Sequence, residues 1–260
     1  MCTLTWQVAA GRAVVLFNRD EAWSRSAEGP VGPGESGGVR LLAPRDGERG
    51  GTWAGVNEYG LVLALLNDYR TTWRPAAAPP ISRGWVVHAG LASTHLADVE
   101  RNLRELPLTC IPAFRLFALL PFEGGQVWHW DGHSLQTSSA KLPSGLLTSS
   151  SFRSEEIEAA RLAAWEQLAS RHVPEVHLGF HQRHDPDHPE ASVLMRRADA
   201  GTRSLLELRV EADAVTARHT AIRWSPTQAP ILAPPLAASL PRRAPAPPPA
   251  APWPGSEGTL

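Results

Sequence analysis

MCTLTWQVAAGRAVVLFNRDEAW (residues 1–23) is the stretch that decides the fold. Two apolar, β-branched runs, residues 3–9 and 12–17, flank Gly11, a pattern that predicts a tight hairpin. Its place in the chain matters as much as its pattern. Cys2 stands directly behind the initiator methionine, so removal of Met1 would leave one residue carrying both a thiol and a free α-amine. Such an amine, with an ordinary pKa of roughly 7.7 to 8.0, can take the thiol proton near neutral pH and activate the nucleophile without a separate base. The alternative is a small buried strand residue, because cysteine often packs as a plain hydrophobe. The hairpin runs into Asn18-Arg19-Asp20-Glu21. Four consecutive polar residues read as a solvated turn unless the pairing register or later packing brings them beside Cys2.

Outward from the hairpin, residues 28–51 are rich in Gly, Pro and charge and read as an irregular connection with one short strand at 39–43. A second hairpin is predicted from residues 52–56 and 61–67, the latter apolar enough to be buried on both faces. Ser82 can cap a helix through GWVVHAGLA, and a second helix opens at Ser93-Thr94-His95-Leu96 and ends near Leu106. Strands follow at 114–121 and 126–130, with a short one around Leu146. Residues 154–172 form a helix with acids in its first turn. A last hairpin is expected from 191–197 and 204–210, followed by 214–223. Strands, then helices, then strands predict an α+β fold with a largely antiparallel sheet.

Composition narrows the function classes. Lys and Arg total 25 against 26 Asp and Glu, a formal net charge of −1, which offers no electrostatic footprint for nucleic acid or an anionic membrane. No apolar run approaches the roughly 20 residues that span a bilayer, and no secretory leader pattern opens the chain. A cytoplasmic protein with a small-molecule partner is expected. Cys2 and Cys110 are too few for a disulfide framework and read as free thiols. From residue 227 the sequence is Pro/Ala-rich and low in complexity, so the expected organisation is one domain over 1–226 and a disordered tail over 227–260.

MCTLTW, NRDEAW, GGTWAGVNEYGLVLALLN, Ser82-Arg83-Gly84 and ASVLMRRADAGTRS, in this order, resemble the NRDE family of transport and Golgi organisation protein 2-like proteins, over residues 1 to about 210. That family is similar to N-terminal nucleophile hydrolases and, more distantly, to choloylglycine hydrolases and penicillin V acylases. The resemblance implies a four-layer αββα sandwich of two antiparallel sheets. It implies Cys2 as nucleophile, with Arg19 and Asp20 orienting it and Glu21 as the alternative acid. Asn67 would supply an oxyanion-hole amide, although a strand-end Asn capping a turn reads the same way. Ser149 falls where many members carry an Asn, and Arg203 is matched to a distal arginine of the acylases. The implied function is a cysteine amidohydrolase acting on a small or acyl amide through Cys2 and its α-amine, without a cofactor. The alternative is a non-catalytic haem-, lipid- or acyl-CoA-binding or trafficking protein on the same fold, haem entering only under that reading.

Two further features have ordinary readings. Trp53, after the permissive pair Gly50-Gly51, is either core or a pocket wall beside Cys2. His172, His177, His181, His184 and His188 suggest a metal, and His177 and His181 would share a helix face. Two prolines nearby and the lack of paired cysteines favour a solvated loop instead, with no metal site.

Overall fold

The computed structural model describes residues 2–75, 80–169 and 174–244. The chain opens with strands β1 (Cys2–Ala9), β2 (Arg12–Ala22), β3 (Gly29–Ser36), β4 (Val39–Arg45), β5 (Ala54–Asn57) and β6 (Val62–Asn67). Helices α1 (Gly84–Gly90) and α2 (Leu96–Glu105) come next, then β7 (Phe114–Leu120), β8 (Gly124–Trp130), β9 (Leu135–Ser139) and β10 (Ser144–Ser149). After α3 (Ser154–Ala169) and α4 (Pro174–His181), the chain ends in β11 (Ala200–Val210), β12 (Ala214–Trp224), β13 (Pro230–Leu232) and β14 (Leu236–Pro241). One sheet runs β10-β1-β2-β11-β12, with β13 and β14 both pairing β12, and the other runs β3 to β9 in sequence order. All pairings are antiparallel.

Strand alternation builds the four layers. Leu4 and Trp6 of β1 and Val15 and Phe17 of β2 meet Leu42, Val56, Ala64, Leu66 and Phe117 of the facing sheet in one buried core, where Trp6 stacks on Phe117 at 4.5 Å. The intervening residues Thr3, Thr5 and Asn18 point the other way, toward α3 and α4, and are fully buried there. On the outer face of the second sheet, Val86, Val87, Val99 and Leu103 of α1 and α2 pack on Leu63, Leu116 and Trp128. The result is the expected αββα sandwich.

Several regions differ from the sequence reading; β9 and α4, which no local pattern announced, are two of them. Residues 29–36, expected to be irregular, form β3, which tolerates Pro30 and Pro33 because it is the outermost strand of its sheet and leaves one edge without ladder partners. Residues 191–197 form no strand; the hairpin partner of β12 is β11, whose start extends back to Ala200. Residues 230–232 and 236–241, assigned to a disordered tail, are β13 and β14, again at a sheet edge. The remainder of that tail, 245–260, lies outside the described residues.

The pair Gly50-Gly51 supplies both a left-handed turn and a close backbone approach. Gly50 adopts φ +69°, and a Cβ on Gly51 would stand 2.8 Å from the Gly84 carbonyl carbon. The loop after β4 therefore touches the start of α1 through two glycines. Gly51→Ala is expected to destabilise the fold by about 1–3 kcal/mol, because the obstruction is backbone and not a side chain that can turn aside. A urea titration against wild type measures this directly.

Candidate active site

The two-residue turn of the first hairpin pairs Ala9 with Arg12, and the ladder then places Cys2 opposite Arg19. On its other side Cys2 pairs with Ser149 of β10. Directly paired residues share a face, so the three side chains stand in a row on the face of the sheet that meets its partner. Cys2 is half-buried against the inter-sheet core. It opens into a cleft of about 280 Å³ that Arg19, Asp20, Glu21, Trp53, Asn67 and Arg83 also line. The polar cluster after the hairpin is thus not a solvated turn: Arg19 is 4% and Asp20 5% exposed.

Alternation splits the cluster into separate tasks. Arg19 lies over the Trp53 ring at 4.4 Å and donates to Glu28 at 2.5 Å, Glu21 at 3.1 Å and Asp46 at 3.2 Å. Arg25 adds contacts to Asp46 at 2.7 Å and to Glu21 and Glu48, each at 3.4 Å. Burial alone would raise the Glu28 carboxyl, but the His219 hydrogen bond and the Arg19 charge hold it below its usual range. Trp53 fills both roles read for it, belonging to the core cluster and forming a wall of the cleft.

Asp20 faces the helix layer. Its Oδ1 accepts from Thr202 Oγ1 at 2.6 Å. Burial raises its pKa, opposed chiefly by the charge of Arg161. Arg161, on α3, is 2% exposed; it donates to Thr3 Oγ1 at 2.9 Å, Thr148 Oγ1 at 3.2 Å and the Ser192 carbonyl at 2.5 Å, and makes no ion pair among the described residues. Thr148 Oγ1 in turn donates to the Cys2 carbonyl at 3.1 Å. A buried guanidinium therefore fastens β1 to β10 beside the thiol and supplies a field that favours ionised Asp20. Burial pushes the Cys2 thiol up to about 11, and the Asp20 carboxylate adds to that shift.

Two candidate oxyanion donors reach this end of the sheets. Asn67 lines the cleft and donates through Nδ2 to Tyr69 Oη at 2.8 Å, which leaves one amide hydrogen uncommitted. Ser149 is 1% exposed, and its Oγ has no hydrogen-bond partner among the described residues. A buried hydroxyl in that state beside the thiol is a donor awaiting an acceptor.

Arg203 is not brought to this site. Pairing of β11 with β2 steps from Thr202–Asp20 to Ser204–Arg19, so Arg203 is the extra residue of an irregularity in the ladder, and its guanidinium donates to the Ala22 carbonyl and lies over Trp23. His184 and His188 lie in the expected loop, whereas His177 and His181 depart from it. His177 and His181 sit on α4, 2% and 0% exposed, while His172 lies outside the described residues. No group of three or more metal-ligating side chains occurs among the described residues. Sequence reading missed Arg161, Glu28 and Asp46. Only Asp46 carried a local sign, in the turn PRDGERGG, where its Oδ1 accepts from the backbone N–H of Glu48 and Arg49.

Two antiparallel sheets between helical layers are an N-terminal nucleophile hydrolase-like fold. Three solved structures share the fold. Penicillin V acylase from Agrobacterium tumefaciens superposes with a TM-score of 0.51 at 14% identity, over 85% of this chain and 83% of that one. The Caenorhabditis elegans ortholog of N-acylethanolamine-hydrolyzing acid amidase gives 0.53 at 9%, over 80% and 92%. A variant of conjugated bile acid hydrolase from Clostridium perfringens gives 0.51 at 12%, over 93% and 92%. The chain itself belongs to the Transport and Golgi organisation 2 family, whose model matches residues 1–159. No curated protein matches the sequence.

Proposed function

We propose that this protein is a cysteine amidohydrolase acting on a small or acyl amide, with Cys2 as nucleophile once Met1 has been removed. The observation that supports it best is the row Arg19–Cys2–Ser149, whose Arg19 and Cys2 line a cleft together with Asp20 and Asn67. With its thiol at about 11, Cys2 needs a base. Its own freed α-amine takes the thiol proton, Sγ attacks the amide carbonyl, and Ser149 Oγ and Asn67 Nδ2 donate to the oxyanion. Collapse expels the amine, which leaves with the proton, and water then hydrolyses the thioester. Arg161 holds the end of β1 through Thr3 and Thr148, and Asp20 stands beside it on β2. Both cysteines are free thiols, which supports a reducing, cytoplasmic location.

The raised thiol also favours a second reading, a carrier on the same fold for an apolar ligand such as haem, a lipid or an acyl-CoA. A Soret shift on titration with haem would mark a haem carrier, and copurifying lipid or acyl-CoA would mark the other two; hydrolysis predicts neither. The deciding experiment is intact mass before and after iodoacetamide at neutral pH, beside Cys2→Ser. Loss of Met1 with rapid labelling confined to Cys2 is the expected result. Retained Met1, or an inert Cys2 in a chain lacking Met1, overturns the mechanism.

A further inference from the structure

The arginines that line the cleft are of two kinds. Arg19 and Arg25 are neutralised by Glu21, Glu28, Asp46 and Glu48. Arg49 and Arg83 line the same cleft, and among the described residues neither guanidinium pairs with a carboxylate. Arg83 is half-buried and spends only its Nε, on the Pro112 and Ala113 carbonyls at 3.3 and 3.0 Å, which leaves both terminal nitrogens uncommitted. The acids whose charge reaches it include Glu21 and Asp68, and both are engaged: Glu21 by Arg19 and Arg25, Asp68 by His129 at 2.6 Å and Arg70 at 3.2 Å. The close approach of Gly51 and Gly84 joins the two segments that carry Arg49 and Arg83.

A guanidinium fixed by its Nε, with both terminal nitrogens unpaired among the described residues, can recognise a planar or tetrahedral oxyanion in a bidentate manner. We propose that the ligand of this cleft carries a carboxylate or phosphate group, held by Arg83 with Arg49 as the outer contact. This deepens the proposed function by naming a ligand class for the same cleft; it depends on the cleft as the ligand site and not on hydrolysis.

The test uses the full chain carrying Cys2→Ala, so that binding is read without turnover. Calorimetric titrations with inorganic phosphate, N-acetylglycine and neutral N-acetylglycinamide are expected to show millimolar binding of at least one anion and none of the neutral amide. Tighter binding of N-acetylglycine assigns a carboxylate source, and tighter binding of phosphate assigns a phosphate ester. Adding Arg83→Gln is expected to weaken the bound anion at least about tenfold, and Arg49→Gln several-fold. Because Arg83 also ties down residues 112 and 113, Arg49→Gln, which breaks no side-chain hydrogen bond among the described residues, carries the test if the Arg83 variant does not fold. Binding of neither anion, equal binding of the neutral amide, or unchanged affinity in the variants overturns the subsite. Failure of amide hydrolysis in the wild type leaves these readings intact.

Discussion

Cys2→Ala is expected to lower amide hydrolysis by at least about 10³-fold while leaving the urea midpoint nearly where it was. The two effects separate because of where the thiol sits. Cys2 is half-buried at the rim of the inter-sheet core, so loss of Sγ removes one small atom from an open edge and costs about 1 kcal/mol or less. Chemistry loses everything that depends on that atom. Ser149 and Asn67 would remain as donors but with no nucleophile to serve. A thiol at about 11 leaves only about one molecule in 10⁴ ionised at pH 7, so a chain that keeps Met1 should resemble Cys2→Ala in turnover and alkylate slowly. Separating the two forms by mass and assaying each against an amide library tests both statements. Turnover that survives Cys2→Ala would remove Cys2 from the reaction altogether.

How much of this was legible in the sequence depends on the range of the forces involved. Period-two alternation around Gly11 gave the first hairpin, and the apolar run at 61–67 gave β6. The juxtaposition of Cys2 and Arg19 was also within reach. A two-residue turn that pairs Ala9 with Arg12 necessarily pairs the residues seven further along on each side, which are Cys2 and Arg19. Ser149 is a candidate through the family resemblance alone, and its place opposite Cys2 had no local sign, because its strand is distant in the chain. Arg161 carried no sign at all: one arginine in AARLAAW reads as solvent-facing, and only the packing of α3 on Thr3 and Thr148 buries it. Proline misled twice, at β3 and at β13 and β14, because edge strands do not need every N–H. At the histidines, Pro186 and Pro189 do mark a loop, but it begins only after α4, which Pro174 opens and which carries His177 and His181.

His181 gives the second large effect, in acid. Asn18 Oδ1 at 2.9 Å can only accept, so the proton of the neutral ring sits on Nδ1, and Nε2 accepts from Thr5 Oγ1 at 2.8 Å. The Asn18 amide, closing the arrangement, donates to the His181 and Val193 carbonyls and so ties α4 to β2. Burial, with lesser contributions from His177 and Arg161, depresses the His181 pKa from 6.5 to about 3. A depressed pKa in the folded state means that the unfolded chain binds the proton first. The stability from neutral His181 is therefore present above pH 6.5 and is lost as pH falls toward 3, about 3 kcal/mol of it by pH 4.5 and about 5 kcal/mol at the limit. Glu28, Asp46, Glu58 and Asp68, all held below their usual range, lose stability in the same direction, whereas Asp20, raised by burial, works in the opposite one. Those contributions are common to wild type and to His181→Gln. The variant should cost about 1–3 kcal/mol at pH 7 for its disturbed hydrogen bonds, yet lose less than wild type between pH 7 and pH 4.5, so that the two stability curves converge in acid. Parallel curves from urea titrations across that range would mean that His181 is not the group whose protonation loosens the helix layer from the strand that carries the site.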